Sequence, residues 1–209
     1  EHPSGLPSFV PPEKLTATFL ESQRWVENLN LDTVDSINRN ICQGNTNELI
    51  ALAEALHEKK ISLIADRILA QKRNIRIILI SGPSSSGKTT FAQRLSTQLR
   101  VNGIRPIALS LDDYFCDREK TPLDKDGQYD FEALEALDLP LLNQHVNALI
   151  HGQEIECPIY DFVSGKRKPV GKPMKLGKDE ILVMEGIHAL NPRLLPSLER
   201  NHLFKIYNS

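Results

Sequence analysis

Between a β-branched run and a helical stretch lies Gly82-Pro83-Ser84-Ser85-Ser86-Gly87-Lys88-Thr89. Gly82 and Gly87 permit backbone angles and close approaches that a side chain would block. A loop of this spacing turns its N–H groups toward phosphate oxygens at the start of a helix. Lys88 can neutralise the β- and γ-phosphates, and the Thr89 hydroxyl can ligate Mg²⁺. Pro83, Ser84, Ser85, Ser86 and Thr90 complete the cradle. The bland alternative is a Gly/Ser-rich surface turn. The loop by itself indicates a bound nucleoside triphosphate. It does not separate GTPases, motors and helicases from kinases.

Other segments narrow the choice. Guanine selection usually needs an [NT]-K-x-D segment after a strand, and none is present. A motor or remodelling ATPase needs far more chain. A small-molecule kinase needs a carboxylate facing the γ-phosphate, to orient an acceptor hydroxyl. Ser110-Leu111-Asp112-Asp113-Tyr114-Phe115 follows a predicted strand, and ligands bind at strand C-termini of open parallel sheets. Asp112 is the candidate base, with an orienting role and late proton acceptance. The alternative is that Asp112 and Asp113 are solvated loop carboxylates. Ile181-Leu182-Val183-Met184-Glu185-Gly186 is a buried strand ending in a carboxylate. It resembles a Walker B element with Glu in place of Asp. Glu185 could hold Mg²⁺ through water, position the acceptor, or merely cap a turn.

The elements that must position these residues follow from periodicity. Ile75 to Ile80 is short, β-branched and apolar, which suits a buried parallel strand. Phe91 to Arg100 reads as a helix, Pro106 to Leu111 as a strand and residues 132 to 150 as an amphipathic helix. Glu154 to Phe162 and Lys172 to Leu176 are hairpin-like, around a turn-rich Ser164 to Pro169. Ile181 to Met184 is another buried strand. This alternation predicts an α/β fold, a P-loop NTPase three-layer sandwich with a parallel sheet.

A helical segment precedes it. Residues 1 to 12 hold Pro3, Pro7, Pro11 and Pro12 and read as an extended lead-in. A helix begins near Lys14, with Leu15, Phe19, Trp25, Val26 and Leu29 on a stripe. A second covers 31 to 42, and a third runs from Asn47 to about Gln71. His57-Glu58-Lys59-Lys60-Ile61 lacks the second His of a zinc-protease helix, so a metal reading fails there.

Composition sets the outer limits. The chain has 209 residues, 40% hydrophobic and 25% charged, with a net charge of −2. This is globular composition and gives no support to a nucleic-acid partner. No apolar run approaches the roughly 20 residues of a membrane span. Cys42, Cys116 and Cys157 are widely spaced and odd in number, which suits free thiols in a reducing cytoplasm. The first residues carry no signal-peptide pattern. Opening on Glu and stopping after a strand-like Leu203 to Tyr207, the sequence reads as a piece of something longer.

Four ordered segments resemble the uridine kinase and phosphoribulokinase family of P-loop kinases. They are Gly82 to Thr89; Ser110 to Phe115; Tyr129-Asp130-Phe131 with Ala136-Leu137-Asp138; and Pro158-Ile159-Tyr160-Asp161-Phe162-Val163-Ser164. Glu185-Gly186-Ile187 fits as well. The resemblance spans about residues 73 to 209. It implies ATP and Mg²⁺ as cofactors, Asp112 as catalytic base and a nucleoside or sugar as acceptor. A homo-oligomer is compatible with it. Phe131, Glu132 and Tyr160 would border a nucleoside, with Tyr114 and Arg167 also on the substrate side; core packing is the alternative for the aromatics. Uridine-cytidine kinases follow Y-D-F-x-S with a His that helps read the pyrimidine. Gly165 stands there instead, followed by Lys166-Arg167-Lys168. Loss of a hydrogen-bonding side chain implies a relaxed or changed base choice. The basic trio could meet a phosphate, as a sugar-phosphate kinase would need, or face water.

Residues 54 to 91 are also similar to the connector of bacterial multidomain nucleoside kinases with regions like the N-terminal part of threonyl-tRNA synthetase. That implies a helical connector over 1–72, packed on the kinase domain, and a kinase core over 73–209 without the family's Arg-bearing lid. A module that senses ATP or a nucleoside without turnover is the remaining alternative.

Overall fold

The computed structural model describes residues 12–208. Most of the predicted lead-in, including Pro3, Pro7 and Pro11, lies outside them. The chain divides into two units, one ending at His57 and one starting at Glu58.

The first unit holds α1 (Glu13–Asn28), α2 (Val34–Cys42) and the start of α3 (Thr46–Ala70). The Thr33 hydroxyl accepts from the Ser36 N–H while Ser36 accepts from the Thr33 N–H, a reciprocal cap that starts α2. Neither α1 nor α2 buries a residue. Leu15, Phe19 and Val34 are exposed.

The second unit is built on a parallel sheet. Its strands are β1 (Ile77–Ser81), β2 (Arg105–Ser110), β7 (Glu180–Glu185) and β8 (Leu203–Tyr207), in the order β2-β7-β1-β8. All three pairings are parallel. Side chains alternate across a strand, so each one feeds two cores. Ile77, Leu79, Leu182 and Met184 join one cluster, with Leu142, Val146 and Leu149 of α5 (Leu139–Ile150). Ile78, Ile80, Ile181 and Val183 join the other, with Leu95 and Leu99 of α4 (Lys88–Val101) and Ile61, Ala65 and Ile68 of α3. Covering both faces explains why Ile77 to Ile80 of β1 are all apolar. The three layers are those of the expected sandwich.

Leu95 is wholly buried between α4 and the sheet. Leu95→Ala is expected to cost about 2–5 kcal/mol of unfolding free energy, read by urea denaturation with the m-value unchanged.

Two local predictions need correction. Residues 132 to 150 are not one helix. Leu134–Ala136 is a 3-10 turn, Leu137 is extended, and α5 begins only at Leu139. The cause is local: the Asp138 carboxylate accepts from the Leu141 N–H at 3.1 Å, and Pro140 fits only in a first helical turn. The hairpin region is also nested. β3 (Glu154–Cys157) pairs antiparallel with β6 (Lys172–Lys175), and inside it β4 (Tyr160–Asp161) pairs with β5 (Lys166–Arg167). Pro158, which cannot donate a ladder hydrogen bond, stands between β3 and β4. Among the described residues no helix is long and apolar enough to cross a membrane.

Candidate active site

The phosphate loop runs from the end of β1 into α4. Gly87 caps the helix at φ +80°, the left-handed conformation glycine adopts without strain. Gly82 answers a different demand. A Cβ there would lie 1.9 Å from the Asn208 carbonyl oxygen. Asn208 braces the loop, donating from its N–H to the Ser81 carbonyl at 2.7 Å and from Nδ2 to the Ser86 carbonyl at 2.9 Å. Lys88 Nζ donates to the Pro83 carbonyl at 2.7 Å, so the ammonium lies across the loop.

Parallel register brings the strand ends together. Ser110 aligns with Glu185, and Glu185 with Ile80. The Glu185 Oε1 accepts from Ser110 Oγ at 3.1 Å and from Thr89 Oγ1 at 3.3 Å. Two hydroxyls and a carboxylate beside a phosphate cradle form an all-oxygen donor set. Mg²⁺ suits such a set, because it keeps several waters and takes one or two carboxylates plus phosphate oxygens. The fold brings Thr89 and Glu185 together, and it adds Ser110, which the sequence reading did not single out, beside them. Among the described residues there is no group of three or more His, Cys, Asp or Glu able to hold a metal.

Asp112 sits in the 3-10 turn Leu111–Tyr114, directly after β2. Its pKa is raised. Lost hydration is the largest cause, the Glu185 carboxylate comes next, and Lys88 opposes them. Lys88, Glu185 and Asp112 thus share one electrostatic neighbourhood. Asp113 differs, because its Oδ1 accepts from the Tyr160 N–H at 3.2 Å. The two adjacent carboxylates are thereby separated: Asp113 is tied to the hairpin, while Asp112 shares its field with Lys88 and Glu185.

Tyr114 and Arg167 depart from their expected substrate role. Tyr114 is wholly buried, and its hydroxyl meets His145 Nδ1 at 3.0 Å. Arg167 bonds Asp138 at 2.9 Å and donates to the Phe115 and Tyr114 carbonyls, both at 3.0 Å. A guanidinium fork matches one carboxylate and two adjacent carbonyls, so Arg167 fixes the turn that carries Asp112. Lys166 lies 3.5 Å from Glu119. Two members of the basic trio are therefore committed to protein carboxylates.

The aromatics gather in one place. Phe115 packs on Phe131 at 6.2 Å, Tyr160 at 5.6 Å and Phe162 at 6.1 Å between ring centroids. Phe131 keeps 38% of its surface exposed, and Tyr160 only 6%. Glu132 is exposed beside Phe131, its N–H bonded to Asp130 Oδ1 at 2.9 Å.

The fold and loop are those of P-loop kinases. A family model described as the phosphoribulokinase / uridine kinase family matches residues 77–204, and the chain belongs to that family. The uridine kinase of Lactobacillus helveticus is 33% identical over 114 residues, 54% of this chain and 53% of that protein. The uridine kinase of Schizosaccharomyces pombe is 35% identical over 130 residues, 60% of this chain and 27% of that protein. The solved structure of a possible uridine kinase from Bacillus stearothermophilus matches with a TM-score of 0.58 at 25% identity, covering 71% of this chain and 79% of that one. The chain spans about half the length of curated relatives such as the Lactobacillus protein.

Proposed function

We propose that the protein is a nucleoside kinase that moves the γ-phosphoryl group of ATP to a sugar hydroxyl, the 5′-hydroxyl. The observation that carries this reading is the common neighbourhood of Lys88, Glu185 and Asp112 at the strand ends. Lys88 and the loop amides hold the ATP phosphates. Thr89 and Glu185, with Ser110 beside them, hold Mg²⁺, which when bound neutralises charge between the β- and γ-phosphates. Asp112 accepts a hydrogen bond from the acceptor hydroxyl, aims it at phosphorus and takes its proton late in transfer. The domain reading stands alongside: residues 1–72 as connector, 73–209 as catalytic core. Three free thiols suit a reducing cytoplasm. A sugar-phosphate acceptor loses its main support, because Lys166 and Arg167 already face Glu119 and Asp138.

Incubating the protein with ATP, Mg²⁺ and a panel of nucleosides tests the reading. A nucleoside monophosphate is the expected product. Nucleotide binding with no product from any nucleoside would instead favour a sensor. The pH profile adds a second check. A base works only when ionised, and the Asp112 pKa is raised. The acid limb of kcat/KM is therefore expected above the ordinary aspartate value of about 3.9.

A further inference from the structure

At the tip of the β4–β5 hairpin, Gly165 has φ +67°. A Cβ there would lie 2.7 Å from Arg118 Nε and 2.8 Å from its Cζ. The hairpin offers no side chain at this point, and Arg118 fills the space. It is pinned there. Its N–H donates to the Gly165 carbonyl at 2.8 Å, and Nη2 donates to the Phe162 carbonyl at 3.0 Å. Among the described residues no carboxylate pairs with it. Its remaining N–H groups are uncommitted by any charge partner.

Beside it lies Tyr160, whose buried hydroxyl has no hydrogen-bond partner. Arg118 is near enough to favour the ionised phenol, although lost hydration keeps the Tyr160 pKa raised. The Tyr160 ring packs on Phe162 at 5.0 Å, and Phe115 joins both to the partly exposed Phe131. Asp113 ties the Tyr160 backbone to the turn that carries Asp112. Aromatic faces stack on flat groups, and here a phenol and an unpaired guanidinium stand at one end of them.

We propose that Arg118 is a specificity-determining residue that donates to a carbonyl on the acceptor's base, so that a keto base is taken over the amino base of the same shape. This rests on the nucleoside-kinase reading. A guanidinium has donors only, whereas the Tyr160 hydroxyl can donate or accept. Discrimination therefore falls to Arg118. Facing a carbonyl, it makes a charge-assisted bond. Facing an exocyclic amino group, donor meets donor and both stay unpaired.

Two nucleoside pairs isolate this chemistry: uridine against cytidine, and inosine against adenosine. Each pair differs at one exocyclic position, carbonyl or amine, and at the adjacent ring nitrogen, which is N–H in the keto member and an acceptor in the amino member. The protein is expected to favour the keto member by about 10- to 100-fold in kcat/KM. In Arg118→Met that ratio is expected to fall toward one. The loss should appear in KM for the keto members, with little change for the amino members. Arg118→Gln, whose amide offers a donor and an acceptor, should level the ratio in the same way. An absent keto preference, a ratio unchanged in both variants, or an equal loss for all four nucleosides would overturn the proposal. If the unaltered protein phosphorylates none of the four, the kinase reading fails. Binding of the same nucleosides, followed by tyrosine fluorescence without ATP, then decides for Arg118 alone. A keto preference that Arg118→Met removes would support it, and no preference would sink it.

Discussion

Asp112→Asn is expected to lower the phosphoryl-transfer rate by about 10²- to 10⁴-fold while ATP binding persists. Asparagine keeps the size and one acceptor oxygen, but it cannot take the proton. The neighbouring charges make the result separable from unfolding. Lost hydration and the Glu185 carboxylate raise the Asp112 pKa in the folded protein. A carboxyl whose pKa is raised by folding favours the native state while protonated, and that contribution is lost as pH rises through the raised value. At neutral pH the ionised Asp112 therefore works against folding. Removing its charge should leave the melting temperature equal or higher. Inactive, stable and ATP-binding is the signature to look for by product assay, thermal melt and nucleotide titration. An active variant would remove Asp112 from the reaction. An inactive variant with a lowered melting temperature would make its role structural.

Gly82→Ala is the second large effect. The new methyl would meet the Asn208 carbonyl oxygen at 1.9 Å and Ser86 Oγ at 2.8 Å. The first is backbone of the strand end that braces the loop, so a rotamer change cannot clear it. Either the phosphate loop or the end of β8 must move. Overpacking of this kind costs about 1–3 kcal/mol. Because the displaced atoms are the cradle itself, ATP affinity is expected to fall by at least about tenfold, the equivalent of ~1.4 kcal/mol. Calorimetric titration with ATP and a urea melt read the two parts. Gly87→Ala makes a useful contrast. Nothing lies within 4 Å of a Cβ there, so its cost comes from φ +80° alone.

The legible part of this molecule is what chemistry writes locally. The phosphate loop, the β1 and β7 runs and the residues Thr89 and Glu185 carry their own signatures of type and spacing. The third helix was readable because apolar residues recur with the helical turn, and Ile61, Ala65 and Ile68 are those it buries. Other features depend on pairings that span the chain. Ser110 joins Glu185 only through the register of β2 with β7. Asp113 is separated from Asp112 by a hairpin backbone 47 positions later. Arg167 looked like a free cation because Asp138 and the Tyr114 and Phe115 carbonyls reach it only after folding. Tyr114 looked like a site residue because a tyrosine after the Asp112-Asp113 pair gives no hint of His145 behind it. Residues 132 to 150 misled differently, since their apolar spacing continues through a segment that Pro140 excludes from a helix interior.

The order of the sheet bears on how the chain is made. β1 has no partner among nearby strands; β7 and β8, more than 100 positions onward, flank it on both edges. A ribosome releases Ile77 to Ile80 long before anything can pair with them. At about 5–20 residues per second, that strand waits many seconds with its apolar side chains and backbone groups unmet. Non-local parallel pairing of this kind also folds slowly. The cradle closes only when Asn208 reaches Ser81 and Ser86. The nascent chain therefore passes through a window of exposed apolar surface that favours aggregation, and the pairing that ends it is also what braces the phosphate loop.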